Sequence, residues 1–148
     1  MITNAMPNHW VVTCNPKRWD IWAFLDEGSS VLDIEGWSVV QHLQNLNQGD
    51  DIALWVTGAD RGIYAIGTIK GEPAGASGDE YWVEDTDRRR PRSFVPLRFT
   101  TDLTQSPILG SELKGDPRFA DATVITFPRG GNPHRLSGLQ WEAITDRI

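Results

Sequence analysis

The run Gly49-Asp50-Asp51-Ile52-Ala53-Leu54-Trp55-Val56-Thr57-Gly58-Ala59-Asp60-Arg61-Gly62-Ile63-Tyr64-Ala65-Ile66-Gly67-Thr68-Ile69-Lys70 reads as two strands and a connecting loop. Gln48-Gly49-Asp50 has turn composition, and Asp50-Asp51 reads as a turn pair facing water. Residues 51–56 and 63–70 are rich in β-branched and aromatic side chains, with Ile52 and Leu54 on one face. The loop 57–62 carries two glycines. Ala65 and Gly67 are small enough for a bulge or a close backbone approach.

Working towards the N-terminus, residues 9–14 (His-Trp-Val-Val-Thr-Cys) form another β-rich run. Asn15-Pro16 then supplies a helix cap and first-turn proline, predicting a helix over 17–27 closed by Gly28. Asp20 is a competing cap. Trp37 follows Gly36 in an irregular segment, and 39–46 reads as a helical turn. Residues 1–8 read as a flexible arm ahead of one domain over 9–148. Towards the C-terminus, 71–78 is a Gly/Pro/Ser-rich segment expected to be mobile. Residues 81–84 and 123–127 read as strands, and 93–99 as an edge or bulged strand around Pro96. Short helical pieces are expected over 107–120, and a glycine-rich loop over 129–134. Ser137 and Gln140 have capping-box spacing ahead of a terminal helix bearing Leu139, Trp141, Ile144 and Ile148. About six short strands with peripheral short helices make an α+β chain, a small mixed β-barrel.

The chain has 148 residues, 39% hydrophobic and 23% charged, which is ordinary globular composition. A mass of 16.6 kDa buries about two-thirds of its extended surface, enough for one core. No run of 18 apolar residues exists, so no membrane partner is expected. One cysteine, Cys14, reads as a buried small hydrophobe and points to a reducing, cytoplasmic setting. The first eight residues lack the basic-then-apolar pattern of a signal peptide. Net charge is −6, which argues against DNA binding through a broad cationic face. Against this stand seven Trp beside two Tyr and five Phe. Most Trp are expected in the core; two or three lining a slot for a flat ligand would account for the surplus.

Enzyme motifs fail. There is no G-x-S-x-G, and Gly110 to Gly115 has phosphate-loop glycine spacing but continues with Asp116 where Lys is required. His9, His42, His134 and Cys14 are too scattered for a zinc signature. No cofactor and no metal are expected. The cluster Arg88-Arg89-Arg90-Pro91-Arg92 has two readings. It is a solvated loop offset by Glu84, Asp85 and Asp87, or a local phosphate clamp that Lys17-Arg18 and Arg129 with Arg135 extend if the fold gathers them.

Several motifs taken together resemble the EVE domain family. Asn15-Pro16-Lys17-x-Trp19 after a first strand is similar to the opening of EVE domains. So are Gly49-Asp50-x-x-x-x-Trp55-x-x-Gly58 and Gly62-Ile63-Tyr64-Ala65-x-Gly67. Tyr81-Trp82, Pro107-Ile108-Leu109, Leu113-Lys114-x-Asp116-Pro117 and Trp141-Glu142-x-Ile144 are similar to the bacterial branch. The resemblance covers about residues 9–148. It implies a PUA-like fold related to YTH reader domains, and a non-catalytic module binding DNA or RNA that carries a modified, methylated base. Carried over by position, Trp37 and Trp82 become walls of an aromatic cage, Asn15 a hydrogen-bond partner for the base edge, Ser38 a weaker polar contact, and Trp55 with the Thr57-Gly58 turn either the floor or a packing element. Lys17, Arg18, Arg88, Arg89, Arg90 and Arg92 become phosphate contacts. The family's Gly-Thr-Asn appears here as Gly130-Gly131-Asn132, without the Thr hydroxyl. Two other classes stay open. One is an enzyme of nucleotide or RNA metabolism with Asp60, Glu84 or His134 as acid or base. The other is a module for a small molecule or a protein.

Overall fold

The computed structural model describes residues 6–76 and 79–148. Residues 1–5 of the expected arm and 77–78 of the expected mobile segment lie outside the described residues. In chain order the elements are β1 (His9–Cys14), α1 (Ile21–Asp26), β2 (Gly36–Val39), β3 (Asp51–Val56), β4 (Gly62–Ile69), β5 (Ala74–Ala76), α2 (Asp85–Arg89), β6 (Arg92–Asp102), β7 (Ile108–Leu109), α3 (Gly110–Lys114), α4 (Thr123–Thr126), β8 (His134–Leu136) and α5 (Gly138–Thr145).

Six strands run in the order β2-β6-β4-β3-β1-β8, while β5 adds to β6 and β7 to β4. The β1/β3 pair is parallel, from His9↔Asp51 to Cys14↔Val56, and every other pairing is antiparallel. The mixed sheet curls into a half-barrel with short helices around it. Two features of β4 and β6 bend it. At Gly67 the ladder slips by one residue, and a Cβ there would collide with the Arg98 carbonyl. At Pro96, which has no N–H for the ladder, β6 passes from β2 (Trp37↔Val95) to β4 (Ile69↔Leu97). The proline therefore marks a corner inside the sheet rather than its edge.

Alternate residues of the central strands enter different cores. Trp10, Val12, Ile52, Leu54 and Val56 belong to one apolar cluster, with Tyr64, Val95 and Phe99. Val11, Ala53 and Trp55 belong to a second, with Ile63, Leu113, Phe119, Val124, Leu136 and Ile144. Burial on both faces explains why β1 and β3 read as nearly continuous apolar runs.

The hairpin of β3 and β4 forms as the sequence predicts, and the terminal helix carries its capping box, with Gln140 N donating to Ser137 Oγ at 3.1 Å. Other elements differ. The helix expected over 17–27 shrinks to α1, because Asp20 Oδ1 accepts from Ala23 N and Asn15 closes a separate turn. Residues 36–39 are a strand, so Trp37 stands on a sheet and not on an irregular segment. Residues 81–84 reduce to a single bridge, Trp19↔Trp82. Residues 123–127 form a helical turn: that geometry drops Val124 into the second core while Thr123 and Thr126 stay outside, and packing overrides β propensity. The glycine-rich loop ends in β8, and part of the 71–78 segment pairs with β6 as β5. On α5, Ile144 is buried and Leu139 exposed; Ile148, expected on the same helix, lies beyond its end and is exposed.

Asp50 also departs from the water-facing reading. It is buried and accepts from Asn8 N, Trp10 Nε1 and Asn47 N at 3.1, 3.0 and 3.0 Å. The carboxylate ties the approach to β1 onto the turn before β3, while Asp51 Oδ2 meets His9 Nδ1 at 2.7 Å.

Candidate functional site

An open groove of about 2050 Å³ lies where the parallel strands β1 and β3 end. Thr13, Cys14 and Asn15 reach it from β1, and Trp55, Thr57 and Gly58 from β3. The backbone link from Thr57 N to Cys14 O, 2.9 Å, holds those ends together.

One end of the groove is aromatic. Trp37, on β2, donates from Nε1 to the Thr13 carbonyl at 3.3 Å. Its ring lies 5.4 Å from that of Trp19, at 66°. Trp19 in turn donates from Nε1 to Asp79 at 2.9 Å and packs on Phe24 and Tyr81. Trp82 is tied to Trp19 by the backbone bridge and carries the Arg92 guanidinium 3.9 Å above its ring. Trp19, Trp37 and Trp82 all line the groove and are 8%, 8% and 9% exposed. Trp37 and Trp82 make no ring contact with each other; Trp19 links them. The sequence reading placed Trp19 on a helix face and missed it as a groove residue, although it stands in the Asn15-Pro16-Lys17-x-Trp19 motif.

Asn15 Oδ1 accepts from Lys17 N at 3.0 Å, and its carbonyl accepts from Arg18 N and Trp19 N. Its amide nitrogen has no hydrogen-bond partner among the described residues, and the residue lines the groove. Ser38 also lines the groove, half-buried, with its Oγ 3.5 Å from Arg92 Nη1. Trp55 is different in kind. It lies in the second core, 2% exposed, and a Cβ on Gly110 would touch its ring edge and the Arg61 stem. Asn132 has its side chain engaged: Oδ1 accepts from Thr13 N and Oγ1, and Nδ2 donates to Thr13 O. It thus works as a surrogate strand partner that fixes the end of β1.

The cations divide into two groups. Arg18 pairs with Asp87 at 3.1 Å, and Arg89 and Arg88 with Asp85 at 3.0 and 3.4 Å. Arg88 also donates to the Trp82 carbonyl, and Arg92 to the Asp87 carbonyl and, at 3.6 Å, towards its carboxylate. The Arg18 hydrogen bond holds the Asp87 carboxyl below the usual range, and burial pushes Arg92 down. Within 88–92, Arg90 alone has no ion pair among the described residues. Lys17 is likewise unpaired and lines a smaller adjoining pocket. A second set, Arg61, Lys114 and Arg129, lines the groove from three separate elements with no ion pair among the described residues. Of these only Arg129 was singled out by sequence; Arg135, on β8, instead donates to Asn8 Oδ1, away from the groove.

Asp60 lines the groove, but Glu84 and His134 do not, and His134 is buried with its Nδ1 on Thr123 Oγ1. Burial pushes the Cys14 thiol up, so it stays protonated. No group of three His, Cys, Asp or Glu suited to a metal occurs among the described residues. Among the described residues no helix is long and apolar enough to cross a membrane.

A half-barrel of mixed strands with a groove at one end of its parallel pair is the architecture of PUA-like domains. The EVE domain family model matches residues 8–147, and the chain belongs to that family. No curated protein matches by sequence. Among solved structures, a hypothetical protein from Leishmania major superposes with TM-score 0.64 at 15% identity, covering 96% of this chain and 94% of that one. Rpa0253 from Rhodopseudomonas palustris gives 0.62 at 18%, covering 94% and 91%. Human THYN1, solved in complex with 5-methylcytosine-containing DNA, gives 0.63 at 15%, covering 95% and 96%.

Proposed function

We propose that this protein is a non-catalytic module that binds nucleic acid and takes one modified base into the groove beside Trp19, Trp37 and Trp82. The observation that carries the reading is the indole-lined groove in a chain of the EVE family. The DNA complex of the structurally similar human THYN1 supports methylated cytosine as the first ligand to try. Stacking on aromatic side chains contributes about 1–3 kcal/mol per base, against a few kcal/mol to unstack it from a duplex. Asn15, which lines the groove and whose amide nitrogen has no partner among the described residues, is the donor for the base edge, and Ser38 is a second polar contact. Trp55 supports the groove wall from the core.

Phosphates belong at the other end. Asp33, Glu35 and Asp79 line the groove with the aromatic cluster. Arg61, Lys114 and Arg129 are unpaired and suit a phosphodiester track. Arg18, Arg88, Arg89 and Arg92 hold partners within the fold, so of the sequence-derived phosphate contacts Arg90 and Lys17 remain the available ones.

Titration of labelled duplex and single-stranded oligonucleotides with and without a central 5-methylcytosine, followed by anisotropy, tests the reading. Tighter binding of the methylated strand, lost in Trp37→Ala and weakened in Asn15→Ala, is expected. Equal affinity for both strands would refute recognition of this modification; turnover of a nucleoside substrate would favour the enzyme reading instead.

A further inference from the structure

Arg92 sits where a stacked base would be expected. Its flat guanidinium lies 3.9 Å over the Trp82 ring, inside the groove, with the side chain only 9% exposed. A guanidinium and a nucleobase are both planar and delocalised, and both stack on indole faces. While Arg92 is there, that face of Trp82 is closed to any other ring.

The arrangement is also incompletely satisfied. Arg92 Nη2 donates to the Asp87 carbonyl at 2.7 Å, and Nη1 reaches Ser38 Oγ at 3.5 Å, the limit of a hydrogen bond. Nε is buried with no partner at all, and a buried donor left unpaired is a cost to the state that contains it. Departure of Arg92 leaves nothing stranded, because Asp87 keeps Arg18 at 3.1 Å. The carboxylate keeps a cation at hydrogen-bond distance whether or not Arg92 is present, whereas Arg92 itself stands 3.6 Å from it.

We infer that Arg92 occludes the stacking face of Trp82 in the free protein, and that a base is admitted by displacing it. This rests on the base-binding reading above. The displacement lowers affinity for every base by the same factor, so Arg92 sets the strength of binding and leaves the preference for a modified base unchanged. It is thereby separated from a phosphate clamp, whose loss weakens binding and flattens its salt dependence, and from a reading donor, whose loss narrows discrimination.

Two arms test it, on folded variants checked by circular dichroism. In the first, the methylated and plain oligonucleotides are titrated into wild type and Arg92→Ala. Both are expected to bind the variant roughly two- to thirty-fold tighter, the range of a cation–π contact, with their ratio unchanged. Weaker binding of either strand, or a changed ratio, overturns the inference. In the second, without nucleic acid, acrylamide quenching is compared in wild type, Arg92→Ala, Trp82→Phe and the double variant. The Trp82 contribution is expected to become more quenchable once Arg92 is removed; an unchanged contribution overturns the occlusion. If Arg92→Ala does not fold, Arg92→Lys replaces it in both arms, since an ammonium keeps the charge but cannot cover the ring as a plane. If no oligonucleotide binds either protein, the base-binding reading falls, while the quenching arm still decides whether Trp82 is covered.

Discussion

The two ends of the groove are built from the same ingredients, tryptophan and arginine, used in opposite ways. At one end Trp19, Trp37 and Trp82 line the opening while Arg18, Arg88, Arg89 and Arg92 are tied to Asp85, Asp87 and backbone carbonyls. At the other, Trp55 borders the groove but packs into the second core at 2% exposure, while Arg61, Lys114 and Arg129 have no acidic partner among the described residues. A dense run of arginines therefore leaves few unpaired cations. Charge in sequence counts for little until the neighbouring carboxylates are placed.

The largest effect that would break this contrast is at Trp55. Trp55→Ala should lose about 3–5 kcal/mol in denaturant unfolding, as large-to-small core substitutions do. Trp82→Ala should lose less stability yet lose binding of the methylated oligonucleotide. Equal stability losses would place both rings in one environment. Next, Asn132→Ala leaves Thr13 N without its partner and should cost about 1–3 kcal/mol on the same measurement. No loss would show that water or the loop replaces the amide.

The cation contrast is read by salt. Replacing Arg61, Lys114 and Arg129 by Gln should each reduce the slope of log affinity against log salt by about one, whereas Arg89→Gln should leave it nearly unchanged. The reverse pattern would return the phosphate surface to α2.

The smallest effect concerns His134, on the second-core side. Burial lowers its pKa below 6.5. As pH falls through 6.5 the unfolded chain takes up a proton that the folded imidazole resists, so stability should fall with acid, down to the folded-state pKa. Thermal melts between pH 7.5 and pH 5 should show His134→Gln losing part of that dependence; an identical slope would assign acid sensitivity elsewhere.

Much of the frame was legible in the chain. The β3–β4 hairpin, the bulge at Gly67 and the Ser137–Gln140 box are local patterns of residue type and spacing, which act within a few residues of themselves. The failures share a cause. Thr123-Val124-Ile125-Thr126 has strand composition, but its one buried side chain makes a helical turn the better packing. Asp50 reads as a solvated turn residue until Trp10 and Asn8 converge on it from β1. Trp19 is visible as an aromatic on a helix but not as the link between Trp37 and Trp82, because that link crosses three segments far apart in the chain. Arg61 carries no local signal, and Lys114, although it stands in the Leu113-Lys114-x-Asp116-Pro117 motif, carries none that marks it as a groove cation.

The sequence by itself determined that this is a mixed α+β barrel of the EVE type, with more indoles than its size requires and no enzyme motif, because strand period, turn chemistry and family motifs are written in neighbouring residues. Tertiary structure decided which indoles reach the groove, which arginines are already neutralised and which cations stay free. Those properties depend on atoms brought within a few ångströms from distant parts of the chain, where Coulomb attraction and burial take effect.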